Sequence, residues 1–167
     1  MELPLPHSAM RTSPQGVDIQ EVTRDEVERL LGGPELEPGS VAELDAIAPE
    51  GWRCFGAFDQ GRAVHHSFVR HSANGPELFR VLTVPSHRRR GIFHAVLAAI
   101  AAELVTDGHQ RLTSKVGVRN EASRASHRRA GFKEAARRLD PIFVGVNLRF
   151  ALMDLWRGVK RHWVQRR

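Results

Sequence analysis

The sequence has little of several residue types, and each shortage excludes a class of protein. Its 167 residues include 1 cysteine and no tyrosine. The lone Cys54 excludes a disulfide framework and a cysteine-rich zinc module, and it indicates a reducing, cytoplasmic compartment. No apolar run approaches the ~18 residues of a membrane-spanning helix, which excludes an integral membrane protein. Residues 1–16 lack the apolar block of a secretory signal.

Lysine is also scarce, so the positive charge of the chain comes almost entirely from arginine. Of the 25 lysine and arginine residues, only Lys115, Lys133 and Lys160 are lysines. Residues 1–50 carry 11 acidic and 3 basic side chains, whereas residues 51–167 carry 8 and 22. Because guanidinium groups pair bidentately with phosphate, this basic body favours a polyanionic partner. Packing of the acidic segment on the basic body, a solvated surface and genome composition are the alternatives.

The apolar periodicity predicts one mixed α/β domain over residues 17–150, between a disordered tail at 1–16 and a basic segment at 151–167. Strands are predicted at 17–22, 52–59, 62–71, 77–84 and 111–118. Four helices are predicted: one that starts after the cap residue Thr23, one at 41–48, one around Phe93 to Leu104, and one at 120–130. Further strands and a terminal helix are expected between Phe132 and Arg167. Cys54 is expected to be a small buried strand residue rather than a nucleophile.

One stretch places a strand, a proline-broken turn, three arginines and a glycine directly before an amphipathic helix. It covers residues 81–94 and reads VLTVPSHRRRGIFH. A helix N-terminus offers unpaired N–H groups and a partial positive charge, and Gly91 lets the backbone approach a ligand closely. The pattern predicts a phosphate-binding site. A basic surface loop that needs Gly91 only for its turn is the alternative.

Part of this stretch resembles a known signature. Arg88-x-x-Gly91-x-Phe93 is similar to the acetyl-CoA motif of the GNAT superfamily of N-acetyltransferases, whose pattern is Gln/Arg-x-x-Gly-x-Gly/Ala. Arg88 and Gly91 match this pattern. Phe93 departs from it, because the family has a small residue at that position.

A second segment supports the same resemblance. Asn120-Glu121-Ala122-Ser123, followed by His127 and Gly131-Phe132, is similar to the family's Asn-x-x-(Ala/Ser)-x-x-x-Tyr-x-x-x-Gly-Phe. The two segments come in the family's order and are separated by one helix and one strand, as in the family. His127 stands where the family commonly has tyrosine.

The resemblance implies a GNAT-like fold, a single mixed β-sheet flanked by helices, in which two strands separate and the pantetheine arm of acetyl-CoA pairs with an exposed strand edge. By position, it assigns cofactor contacts to Val81, Leu82, Thr83, Arg88, Arg89, Arg90, Gly91, Ile92, Phe93, His94 and Asn120. A backbone N–H near Leu82 would polarise the thioester carbonyl.

Acyl transfer to an amine needs a base for the proton of the amine and benefits from an acid for the departing thiolate. His127 is predicted to be the acid, and a surface histidine among arginines is the alternative. Glu77, which opens the strand before the motif, is predicted to be the base, and a solvated glutamate at a turn exit is the alternative. No metal is expected, since His65, His66 and His71 lack both a helical ligand spacing and a nearby carboxylate.

The leading hypothesis is a cytoplasmic N-acetyltransferase that moves an acetyl group from acetyl-CoA directly to an amine. The alternative is an acyl-CoA-binding GNAT-like module with little or no catalysis, which the missing tyrosine and Phe93 keep open. A nucleic-acid-binding protein without a CoA site is the third and least favoured hypothesis, and it predicts binding that weakens steeply with salt. Residues 23–50 carry no signature of the acceptor, and a homodimer is left open.

Overall fold

The computed structural model describes residues 1–4, 14, 16–31 and 39–134 of the chain. Its strands are β1 (Glu2–Pro4), β2 (Val17–Val22), β3 (Trp52–Asp59), β4 (Arg62–Ser72), β5 (Gly75–Thr83) and β6 (Arg111–Ser114); its helices are α1 (Arg24–Leu31), α2 (Val41–Ile47), α3 (Ile92–Thr106) and α4 (Glu121–Arg129). None of the helices in these described ranges is long and apolar enough to cross a membrane.

The six strands form one sheet in the order β1-β6-β5-β4-β3-β2. Neighbouring strands are antiparallel except β5 and β6, which are parallel and are connected through α3. A parallel pair needs such a crossover, because its second strand must start again at the same end of the sheet. The predicted fold, a mixed sheet flanked by helices, is confirmed.

The helix cap and the hairpin turn that the sequence predicts are both present in the structure. The backbone N–H and the hydroxyl of Thr23 donate to the Glu26 carboxylate at 2.9 and 2.7 Å, at the start of α1. The turn between β3 and β4 is made by Gln60 and Gly61, whose φ angles of 50° and 77° suit a tight hairpin. These strands and helices therefore begin and end close to where the residues predict them.

Helices cover both faces of the sheet. Trp52 Nε1 donates to Asp45 of α2 at 3.0 Å, and the Trp52 ring lies edge-on to Phe68 at 5.7 Å. His65, on the opposite face of β4, contacts Phe93 of α3. Since successive side chains of a strand alternate between faces, the sheet has an α2 face, which carries His66 and Phe68, and an α3 face, which carries His65.

Two parts of the structure differ from the sequence-based expectation. Glu2–Pro4, expected within a disordered tail, form β1 and pair with β6, and Leu3 is buried. This pairing joins residues more than a hundred positions apart, so no local pattern announces it. Strand β6 ends at Ser114 rather than at residue 118. The elements predicted after residue 134, including the basic segment 151–167, lie outside the described residues.

Candidate active site

The two parallel strands separate after a short shared stretch. β5 pairs with β6 only at Glu77↔Thr113 and Leu78↔Ser114, and β6 then ends. β5 continues to Thr83, so among the described residues 79–83 have no strand partner on the side that faces away from β4, and they form an open edge there. An extended ligand can add to such an edge as a further strand. The predicted pantetheine contacts at Val81, Leu82 and Thr83 all lie on this open edge.

A β-bulge interrupts the pairing of β5 with β4, at the same residues that form the open edge on the other side of β5. His66 pairs with Leu82 and Phe68 pairs with Phe79, so that Arg80 and Val81 both stand opposite one residue of β4. Arg80 has a φ of 44°, which is unusual for a residue other than glycine. A bulge re-aims side chains and main-chain groups, and bulges are common next to active sites.

The arginine loop (residues 88–91) connects the open edge to α3. Arg88 Nε donates to the Thr83 carbonyl at 3.0 Å, and Arg89 and Gly91 have φ angles of 63° and 81°. The first N–H of α3 that bonds within the helix is that of Ala95, to Gly91 O at 3.1 Å. The N–H groups of Ile92 and Phe93 therefore precede the helical ladder and face no helical acceptor, so they can donate to an anion.

Asp59 anchors this loop, and sequence reasoning missed it. Its Oδ2 accepts from His87 Nε2 at 2.9 Å and from Arg90 Nη1 at 3.3 Å. The hydrogen bond from His87, together with that from Arg90, lowers the pKa of the Asp59 carboxyl despite partial burial. Asp59 ends β3 and lies 28 and 31 residues before these partners, so only the fold brings them together.

His127 lies where the two strands part. Its ring is buried, with Nδ1 2.8 Å from the Ser123 carbonyl and Nε2 3.1 Å from the hydroxyl of Ser114, the last residue of β6. Burial lowers the pKa of His127, and the hydrogen bond to Ser123 offsets this only in part. The neutral ring thus donates from Nδ1 and accepts from Ser114 at Nε2.

Phe93, the residue that departs from the GNAT motif, fills the space between two histidines. Its ring centroid lies 5.1 Å from that of His127 and 6.2 Å from that of His65. His65 bonds Thr83 Oγ1 at 2.7 Å and Ser67 Oγ at 2.8 Å. Phe93 therefore bridges the end of the open edge and the α4 side chain predicted to be the acid.

Glu77 is buried where the strands part and is held by two cations. Arg70 Nη2 lies 2.6 Å from one carboxylate oxygen, and Lys115 Nζ lies 3.0 Å from the other. Burial alone would raise the pKa of Glu77, but the hydrogen bonds from Arg70 and Lys115 outweigh it and the pKa is lowered. Glu77 is thus a carboxylate of reduced basicity, placed beside the start of the open edge.

The structure also describes the surroundings of Asn120, of Cys54 and of the side chains that could bind a metal ion. Asn120 caps α4, because its Oδ1 accepts from the Ser123 N–H at 3.0 Å, which leaves its amide N–H groups for a ligand. Cys54 is fully buried, and burial raises the pKa of its thiol to about 12, which confirms a buried strand residue. In the described ranges, His, Cys, Asp and Glu side chains form no group suited to a metal ion.

Solved acetyltransferase structures share this fold. The aminoglycoside N-acetyltransferase AAC(6')-Iy in complex with CoA aligns with a TM-score of 0.61 at 25% identity, over 74% of this chain and 92% of that chain. The aminoglycoside 6'-N-acetyltransferase AAC(6')-Ih from Acinetobacter baumannii aligns at 0.59 and 20%, over 75% and 96%. The ribosomal-protein-S18-alanine N-acetyltransferase from Escherichia coli aligns at 0.59 and 20%, over 72% and 79%. No curated protein sequence gives a significant match.

A family model gives the assignment. The model described as FR47-like protein matches residues 56–139, just over half of the chain. This span contains the open edge, the arginine loop and α4, which are the elements that form the site. The resemblance of the two sequence motifs to the GNAT superfamily is confirmed by the fold. The chain therefore belongs to the FR47-like family and has the acyl-CoA N-acyltransferase fold of the GNAT superfamily.

Proposed function

We propose that the protein is an N-acetyltransferase that moves an acetyl group from acetyl-CoA directly to an amine. The observation that carries the proposal is the open edge of β5, which is followed within a few residues by the arginine loop and the N-terminus of α3. The edge offers main-chain groups to an extended amide-containing arm, and the helix N-terminus offers donors to a diphosphate. Acetyl-CoA carries both groups.

The residues around the loop suit the phosphates of CoA. Arg88, Arg89 and Arg90 are exposed, and the positive φ angles of Arg89 and Gly91 are of the kind that turns use to form anion-binding nests of backbone N–H groups. Leu82 N–H is the candidate donor to the thioester carbonyl, as the resemblance implies. Asn120 at the start of α4 would contact the arm near the sulfur.

The proposed reaction forms a C–N bond and breaks the C–S bond of the thioester. The neutral amine attacks the carbonyl carbon, and the tetrahedral intermediate then expels CoA as a thiolate. Glu77 is proposed to receive the proton of the amine, because its buried carboxylate stands where the strands part. His127 is proposed to return a proton to the thiolate when its ring is protonated.

The His127 proposal makes a pH-dependent prediction. Because the pKa of His127 lies below its usual value, its acid form grows as pH falls toward the acid side of neutral. The ratio of wild-type kcat to His127→Gln kcat is expected to rise at least about 10-fold between pH 8 and pH 6. His71→Gln, at an exposed position of β4, is the matched control. A ratio that stays constant over this range would assign His127 a packing role only.

The second candidate, an acyl-CoA-binding module without efficient catalysis, is favoured by one observation. His127 is held neutral by burial and is in contact with Phe93. A neutral imidazole whose Nε2 accepts from Ser114 has no proton at that atom to give. Solvent would then have to protonate the thiolate, and the rate would depend on how good a leaving group CoA is.

One experiment separates the two candidates. Calorimetric titration of acetyl-CoA into the protein measures binding, and thiol release in the presence of a panel of amines measures transfer. The enzyme proposal expects both binding and amine-dependent thiol release. Binding without thiol release supports the acyl-CoA-binding module. A protein that neither binds acetyl-CoA nor releases thiol contradicts both candidates.

A further inference from the structure

Two buried polar atoms on the α2 face lack a hydrogen-bond partner within the part of the chain that the structure describes. They are Nδ1 of His66 and Nη1 of Arg80. His66 is 1% exposed, so water does not reach its ring freely. More than nine in ten buried polar groups in proteins are paired, and each exception therefore calls for an explanation. Here Arg80 belongs to the β-bulge, and His66 lies in the pair directly beside it.

Arg80 lies on the open edge and is held there at a conformational cost. Its φ of 44° is a left-handed conformation that side chains rarely adopt, and such strain concentrates at functional sites. The guanidinium packs against Gly39, where an added Cβ would lie only 3.1 Å from Arg80 Nη1, so a side chain at residue 39 would crowd that atom. The other terminal nitrogen, Nη2, faces the exposed Glu43 of α2 at 3.6 Å.

His66 supplies a second donor on the same side. It pairs with Leu82 on the far side of the bulge from Phe79, and its ring packs against Phe68 at 5.3 Å. Burial, together with the charge of Arg80, lowers the pKa of His66 to about 4, so the ring is neutral at physiological pH. A neutral ring whose Nδ1 carries the proton adds an N–H donor to the guanidinium of Arg80.

Resting on the proposed function, we infer that Arg80 and His66 bind a carboxylate of the acceptor, so that the preferred substrate is a small amine that carries a carboxylate, as an amino acid does. One cation and two unpaired donors match two carboxylate oxygens. Arg80 belongs to the edge that is proposed to hold the thioester, so a carboxylate bound there leaves the amine of the same molecule near the carbonyl carbon. A polycationic acceptor would instead bring its charge against Arg80.

Removing the charge of Glu43 changes kcat/KM in a direction that depends on whether the site binds an anion or a cation. Its carboxylate faces Arg80 from exposed α2 and competes with a carboxylate ligand for the same guanidinium. Glu43→Gln is therefore expected to raise kcat/KM for a carboxylated amine. If the site took a cation instead, the same change would lower kcat/KM, because it removes an attractive charge.

The test compares amino acids with their carboxamides, which keep the amine and lose the negative charge. The wild-type protein is expected to show at least about 10-fold higher kcat/KM for the acid than for the amide. Arg80→Met is expected to bring this acid-to-amide ratio near 1, and Arg80→Lys is expected to keep part of it. Both variants retain a side chain at residue 80, so the backbone strain is unchanged, and thermal unfolding checks that they fold.

A binding measurement separates the failure of this inference from the failure of the proposed function. N-acetylated amino acids and their carboxamides are titrated into the CoA-loaded protein and into Arg80→Met. Acid-selective binding that is lost in Arg80→Met supports the inference even without turnover. An acid-to-amide ratio near 1 in both rate and binding, faster transfer to spermine than to any amino acid, or neither turnover nor binding of either compound overturns it. Transfer to uncharged amines with no acid preference would leave the proposed function intact.

Discussion

Replacing Gly91 by glutamate is expected to weaken acetyl-CoA binding at least about 100-fold while the protein stays folded. Gly91 is the N-cap of α3, and its φ of 81° favours glycine. Apart from the neighbouring residues in the chain, no described atom lies within 4 Å of a Cβ built at this position, so the new side chain meets open space. The structural cost is the left-handed strain of a non-glycine residue, about 1 kcal/mol.

The effect on binding is much larger than this strain, because the glutamate carboxylate lies at the N–H groups that the diphosphate would use. It competes for the N–H donors of Ile92 and Phe93, and it repels the phosphates of the ligand. Gly91→Ala introduces the strain without the charge, so it is expected to weaken binding less than about 10-fold.

Gly108→Glu is the matched control for Gly91→Glu. Gly108 follows the other end of α3, has a φ of 83°, and also has no atom within 4 Å of an added Cβ. The two variants therefore carry the same new charge and similar backbone strain at opposite ends of one helix. Calorimetry with acetyl-CoA is expected to show wild-type binding for Gly108→Glu. Binding by Gly91→Glu within threefold of wild type would remove the arginine loop from the proposed site.

Much of the fold could be predicted from the sequence because its signals are local. The capping pair Thr23 and Glu26, the Gln60-Gly61 turn and the apolar face of α3 each act within a few residues of chain. The arginine loop could be placed for the same reason, since its strand, its glycine and its helix are consecutive. Such signals determine elements and the connections between neighbours in the chain.

The parts that could not be predicted depend on contacts between distant residues. Phe93 and the missing tyrosine stand out in the sequence as two separate departures from the GNAT motifs. In the structure they are neighbours, because the Phe93 ring lies 5.1 Å from that of His127. Asp59 likewise contacts the residues around the arginine loop only because the fold brings the end of β3 next to them.

The unpaired atoms of the α2 face, His66 Nδ1 and Arg80 Nη1, could not be predicted from the sequence either. Alternation along β4 predicts that His65 and His66 point to opposite faces, which the structure confirms. Alternation does not predict that both rings are buried, or that His65 is fully hydrogen-bonded while His66 Nδ1 is not. The bulge at Arg80, which shifts the register of β5 between His66 and Phe68, lies directly beside the unpaired ring and is likewise not visible in the sequence.

The second large effect expected is a loss of stability between pH 7 and pH 5. Burial lowers the pKa of His65 to about 3 and of His66 to about 4, against an ordinary value of 6.5. Between these values the unfolded chain binds protons that the folded protein does not, so stability falls as pH falls below 6.5. Each ring is expected to cost about 2 kcal/mol by pH 5, which together is a large part of the stability of a typical domain.

His66→Phe isolates one of these contributions. Phenylalanine keeps an aromatic ring against Phe68, removes the unpaired Nδ1 and cannot titrate. Urea unfolding at pH 7 and pH 5 is expected to show a fall of about 4 kcal/mol for the wild type and about 2 kcal/mol for His66→Phe. The variant is also expected to be no less stable than the wild type at pH 7, since it buries no unpaired donor. His71→Phe, at an exposed position of the same strand, should lose as much as the wild type does. Equal losses in the wild type and His66→Phe would mean that the His66 ring is accessible to protons in the folded protein, and the water that reaches it would then also pair Nδ1.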